Sequence, residues 1–194
     1  MAKGKLGDYK IVAIGGSAGS LDVIIRIMQA LPEQTGTTFL VVVHRKNSTD
    51  NILTNLLSTK TKLPVKEVED KEPLLPGMVY IAPPDYHLLV ENEQNFSLDS
   101  SEKVNYSRPS IDVAFESVAA VFGRSAIAVL LSGASADGAK GLHKIKIAGG
   151  YTIVQDPASA DMAYMPQQAI NLGDLNAIVP SAELPAFITQ LLTK

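Results

Sequence analysis

A chain of 194 residues, 46% hydrophobic and 19% charged, is the size of one globular core and too apolar to stay disordered. Its formal net charge of −3, with basic residues scattered as at Lys60 and Lys62 or Lys140, Lys144 and Lys146, gives no clustered basic surface and argues against a nucleic-acid partner. The absence of cysteine removes disulfides, thiolate catalysis and cysteine-ligated metals, and fits a reducing compartment.

The first ten residues carry positive charge but no apolar segment of a secretory signal. No later run approaches the roughly 20 apolar residues of a membrane span. A cytoplasmic protein without membrane insertion is therefore expected. Tyr9–Ile14 reads as a buried first strand, and Leu21–Leu31 follows as a helix with an apolar stripe ended by Pro32. Thr38–Val43 is a second buried strand. A helix over Asn51–Thr59 follows, capped by Ser48 or Thr49, with Ile52, Leu53, Leu56 and Leu57 turned inward.

The middle of the chain changes character. Val65–Val68, Met78–Ala82 and His87–Val90 are short strand candidates, and Phe96–Leu98 is placed to pair with the third through the polar Asn92–Asn95 turn. Asp99–Pro109 is a long polar loop of the kind that often carries function. Alternation then resumes with a Ser110-capped helix to Phe122 and a strand at Ala126–Leu131. A helix at Gly138–Ala148, a strand at Tyr151–Val154 and a short helix at Pro166–Asn171 come next. An extended piece at Ala177–Val179 precedes a closing helix from Ser181 to Leu192. Strands alternating with helices predict an α/β fold with a largely parallel sheet covered by helices, in one domain spanning 1–194 with a core from about 10 to 192.

Three polar sites stand just beyond three of the strongest strands: Ser17 in Gly15-Gly16-Ser17-Ala18-Gly19-Ser20, His44, and Asp137 in Ser132-Gly133-Ala134-Ser135-Ala136-Asp137-Gly138. In an open α/β sheet, sites form outside the carboxyl ends of the strands, so Ser17, His44 and Asp137 are expected on one sheet edge. A serine hydroxyl needs a neighbouring base, which histidine supplies, and a carboxylate on the other ring nitrogen fixes the tautomer. N–H groups opening the helix after Ser17 point at developing negative charge. Each residue also has a plainer explanation. Ser17 or Ser20 could cap a helix, His44 could simply end a strand, and Asp137 looks like a cap of the helix that follows it. His143 lies mid-helix, and His87 is a reserve candidate at the start of the hairpin.

The segments IVAIGGSAGSLDVI, FLVVVHR, GMVYIAPPDYHLLV, SRPSIDVAFESVA, AVLLSGASADGAKGL and IVQDPASADMAYMPQQAI, followed by a closing helix, resemble in order the catalytic domain of the protein-glutamate methylesterases of bacterial chemotaxis (CheB-type). The resemblance runs from about Lys10 to Leu192. It implies a doubly wound, mostly parallel α/β domain that hydrolyses glutamate methyl esters on receptor signalling helices, with deamidation of receptor glutamines in some members. By the resemblance, Ser17 matches the nucleophile, His44 the general base and Asp137 the triad carboxylate. The N–H groups of Ala18 and Ala134 match the oxyanion-binding positions. No metal or organic cofactor is implied. The implied partners are the cytoplasmic helices of methyl-accepting chemotaxis receptors, with a receptor methyltransferase or a response regulator supplied separately.

The sequence departs from the family pattern at three points. Ala18-Gly19-Ser20 stands where Thr-Gly-Gly is common, Ala134 where a methionine is usual, and Arg45 where Met-Pro or Leu often follows the histidine. Typical members also carry an N-terminal receiver domain. This chain reads as a free-standing homologue or as a fragment of a longer protein. Two other readings compete with the enzyme: a catalytically weak homologue that binds a receptor or partner, and a phosphate-binding module built on the glycine-rich turn. Gly15, Gly16 and Gly19 do not form G-x-G-x-x-G and no Walker lysine follows, which counts against the second.

Overall fold

The computed structural model describes residues 9–45 and 51–193. Seven strands form one sheet: β1 (Ile11–Gly16), β2 (Thr38–Val43), β3 (Val65–Glu67), β4 (Val79–Ile81), β7 (Ala126–Leu130), β8 (Tyr151–Gln155) and β9 (Ala177–Val179). Every pairing in it is parallel, in the order β3-β4-β2-β1-β7-β8-β9. The chain builds outward from β1 through β2 to one edge, then returns to lay β7 against the other side of β1. The order therefore reverses between β1 and β7, the place where a crevice opens in a doubly wound sheet. Two further strands, β5 (His87–Asn92) and β6 (Asn95–Asp99), form a separate antiparallel hairpin.

The central strands are unbroken apolar runs because both faces are covered, and β1, β2 and β7 are buried along their whole lengths. On one face lie α1 (Leu21–Ala30), α6 (Leu184–Leu192) and Leu57 of α2 (Ile52–Ser58), in a core with Val12, Ile14, Val41 and Val129. On the other lie α3 (Ile111–Phe122), α4 (Ala139–Ile147), α5 (Tyr164–Leu172) and the hairpin, packed on Ala13, Leu40, Val42 and Leu130. The hairpin joins that second core through Leu88, Val90 and Phe96, the last edge-on to Tyr80 with ring centroids 4.8 Å apart. No helix among the described residues is long and apolar enough to cross a membrane.

Several boundaries differ from those predicted. The first strand runs to Gly16 rather than Ile14, since Gly15 and Gly16 pair with Val42 and Val43 of β2. The predicted caps Ser48 and Thr49 lie outside the described residues, and α2 buries only Leu57 while Ile52 is 65% exposed. The last helix starts at Leu184, after a turn at 181–183, rather than at Ser181.

The close approach of α3 to β1 matters for the site. A side chain at Gly15 would collide with Ile111 Cγ2, and its Cβ would stand 3.0 Å from Phe115 Cζ. Phe115 is fully buried and wedges α3 against the sheet. Phe115→Ala should cost about 3–5 kcal/mol of stability by chemical denaturation, since it removes a large core side chain whose space cannot fully collapse.

Candidate functional site

Ser17 immediately follows β1. Its N–H donates to Ser132 O just past β7 (2.9 Å), and its carbonyl accepts from both the N–H (3.1 Å) and the hydroxyl (2.7 Å) of Ser20. These bonds close a tight turn into α1. Neither serine side chain caps that helix: none bonds its first-turn amides, and the Ser20 hydroxyl is committed to Ser17 O. The Ser17 side chain is thus released from the plainer role. Gly133 leaves room beside it, because a Cβ there would stand 3.1 Å from Ser17 Cβ and 2.5 Å from the flexible end of Met165 at Cε, which would have to move.

His44 follows β2, with its N–H on Gly16 O at 3.2 Å. Its Nε2 lies 2.7 Å from Asp137 Oδ2, and the side chains are 15% and 0% exposed. An ionised carboxylate accepts only, so Nε2 carries the proton and Nδ1 keeps the lone pair. Among the described residues the hydrogen-bond partner of Nδ1 is the Ser107 hydroxyl at 3.5 Å, and no hydrogen bond joins Ser17 to His44.

Asp137 does not cap α4, the helix it precedes. It caps α3. Its carboxylate accepts from Ile111 N–H (2.7 Å), Asp112 N–H (3.1 Å) and the Ser110 hydroxyl (2.7 Å), besides His44. Asp112 returns the arrangement: from the first turn of α3 it accepts the N–H groups of Gly138 (2.9 Å) and Gly141 (2.7 Å) at the start of α4. The helices are cross-capped by buried carboxylates placed where helix dipoles favour anions.

The two acids respond differently to that burial. Burial pushes Asp137 up, but the bonds from His44, Ser110 and the Ile111 and Asp112 amides outweigh it and hold the carboxyl below its usual range. Burial also pushes Asp112 up; the Gly141 and Gly138 amides oppose this, but repulsion from Asp137 and Glu116 adds to it and the net shift is upward.

The alanine amides named in the resemblance stand beside the serine. Ala18 follows Ser17, Ala134 follows Gly133, and both residues are exposed. Among the described residues neither N–H donates to a protein acceptor. The Ala18 peptide is fixed by the Ser132 hydroxyl, which donates to Ala18 O at 2.8 Å and accepts the Met162 N–H at 2.9 Å. Two unengaged amides beside a half-buried hydroxyl can stabilise an oxyanion.

The fold thus joins His44 to Asp137 and sets Ser17 on the same sheet edge. His87 is elsewhere: it is buried, with Nε2 on Glu102 O (2.9 Å) and Nδ1 accepting the Ser110 N–H (3.2 Å), a bracing role. Sequence reasoning missed Asn105, Ser107, Asp112 and Ser132. Ser107, Asp112 and Ser132 sit inside the segments that carry the resemblance, whereas Asn105 stands just before one of them with no local mark. A cleft of about 400 Å³ opens beside His44, walled by Ser107, Lys103, Arg108, Arg45 and Asp85; Ser17 is not on its wall. Arg45 pairs with Glu67.

A doubly wound sheet with a histidine–aspartate pair at its switch point, next to a serine on a strand-to-helix turn, defines an α/β protein with the parts of a serine hydrolase. The family model for CheB methylesterase matches residues 12–188, and the chain belongs to that family. A Leptospira interrogans protein provisionally named protein-glutamate methylesterase/protein-glutamine glutaminase is 40% identical over 184 residues, 95% of each chain. The protein-glutamate methylesterase/protein-glutamine glutaminase of Hydrogenovibrio crunogenus is 34% identical over 189 residues, 96% of this chain and 50% of its own length. The crystal structure of the Thermotoga maritima CheB methylesterase catalytic domain superposes with a TM-score of 0.89 at 35% identity, covering 94% of this chain and 98% of that one.

Proposed function

We propose that the chain acts as one catalytic domain that hydrolyses glutamate methyl esters on the cytoplasmic helices of chemotaxis receptors. The observation that carries this reading is the 2.7 Å bond between His44 and buried Asp137, formed at the sheet edge where Ser17 follows β1. Ser17 Oγ attacks the ester carbonyl as His44 Nδ1 takes its proton. The Ala18 and Ala134 amides receive the oxyanion. Collapse expels methanol, which leaves with the proton from His44, and water activated by the same nitrogen releases the glutamate. A glutamine side chain would follow the same course with ammonia as the leaving group. Lys103 and Arg108 beside His44 suit a substrate rich in carboxylates.

A receptor fragment carrying glutamate methyl esters should release methanol stoichiometrically with new carboxylates, measured by mass spectrometry. An intact ester after prolonged incubation with folded protein would overturn the assignment. The missing Ser17–His44 hydrogen bond favours one competing reading, a homologue that binds the receptor without turnover. Catalytic bonds in ligand-free enzymes are often long and tighten with substrate, so an open Ser17–His44 pair is compatible with turnover.

A further inference from the structure

Two carboxylates buried side by side need more than backbone amides to keep both in place. Asp112 Oδ2 and Asp137 Oδ1 share one side-chain donor: Asn105 Nδ2 lies 2.9 Å from the first and 3.3 Å from the second. Asn105 belongs to neither helix. It sits at φ 48 beside Tyr106 at φ 62, and Val104 and Ser107 exchange backbone bonds of 3.2 and 2.9 Å around them. Two successive left-handed residues within such a pair are the pattern of a type I′ turn, and asparagine tolerates that conformation better than most residues. The amide thus reaches inward from an otherwise exposed turn. On the same turn, the Ser107 hydroxyl faces His44 Nδ1.

We infer that Asn105 is a positioning residue for the His44–Asp137 pair: its amide bridges the two buried carboxylates, tempers their mutual repulsion and sets the negative potential that His44 feels. The inference rests on His44 and Asp137 acting as base and triad carboxylate. Without the bridge, Asp137 keeps its charge with one donor fewer and holds the imidazolium proton more tightly. Arg45, Lys103, Arg108 and Asp85 share the cleft wall with His44, while the carboxylates on its far side are Asp137, bonded to its ring, and Asp112, joined to Asp137 through the Asn105 amide. The bridge acts on the last two.

Asn105→Gly removes the amide while keeping a residue at home in the left-handed region, so the turn is preserved. NMR titration of the His44 ring in wild type and Asn105→Gly should show an apparent pKa higher in the variant by about half a unit. Fluorophosphonate inactivation at pH 7 should slow by up to about threefold, the loss of neutral imidazole that half a unit allows, and the deficit should shrink as pH rises. A folded Asn105→Gly protein with an unshifted His44 titration would overturn the role of Asn105. If that variant does not fold, Asn105→Asp, which sets a third carboxylate against the pair, must raise the His44 pKa further, and an unchanged titration there overturns the inference equally. The titration does not depend on turnover. A wild-type protein inert to fluorophosphonate would instead sink the serine hydrolase reading and leave the titration comparison to be judged by itself.

Discussion

Ser17→Ala should abolish fluorophosphonate labelling and lower ester turnover by about 10,000-fold or more, with a thermal melt close to wild type. The side chain caps no helix, so its removal leaves every backbone bond of the Ser17–Ser20 turn in place. The result is informative because a second hydroxyl, that of Ser107, lies 3.5 Å from His44 Nδ1. Ser107 lacks the surroundings of a nucleophile. It lies in a turn where its own N–H is committed to Val104 O, and neither amide expected to hold an oxyanion stands next to it in the chain. Ser17 is followed directly by the unengaged Ala18 N–H, and its Cβ faces Gly133, the residue before Ala134. Labelling should therefore survive Ser107→Ala. Loss of labelling in Ser107→Ala and retention in Ser17→Ala would transfer the nucleophile to the turn.

Asp137→Asn should damage both activity and stability. An amide cannot accept with both of its polar atoms, so some of the donors from Ile111, Asp112, Ser110 and His44 lose their partner inside a closed site. Stability should fall by about 2–4 kcal/mol in denaturant titrations. Turnover should drop about 1,000- to 10,000-fold, because His44 loses the carboxylate that fixes its tautomer. The pH dependence carries a sign that can be checked. The folded pKa of Asp137 is depressed, so its ionised form contributes stability that is fully present above the unfolded value of about 3.9 and is lost as pH falls through the lower folded value. Asp112 has the opposite sign: its folded pKa is raised, so its contribution is present below about 3.9 and lost as pH rises through the folded value. Between pH 5 and 2, Asp137→Asn should lose less stability than wild type, and Asp112→Asn more. Parallel melting curves for all three proteins would show that neither carboxylate is in the environment described.

How much of this was legible in the sequence follows from the range over which each signal acts. The buried strands announce themselves as apolar runs, and the strand-end rule alone puts Ser17, His44 and Asp137 on one edge. Gly15 and Gly16 look like turn residues, yet their backbones stay in register with Val42, Val43 and Leu130 because the sheet needs only their amides and carbonyls. The stripe in α2 marks a face but not what covers it, which is why Ile52 proves exposed. Asp137 follows the pattern of a cap for the next helix, and only tertiary packing reveals that it serves α3 instead. Asn105 and Ser107 lie in a polar loop with no periodicity, so nothing in their neighbourhood indicates that they reach the acid and the imidazole.

The exchange of caps between α3 and α4 bears on how a protein of this kind could lose its chemistry. Asp137 is a keystone of the architecture as well as a member of the site, so a lineage released from selection for turnover would still be held to it by the need to fold. Ser17 carries no such second duty and would be the first to drift. In any descendant of this scaffold the aspartate testifies only to the fold, and the serine is the residue whose presence or loss distinguishes a working esterase from its relic.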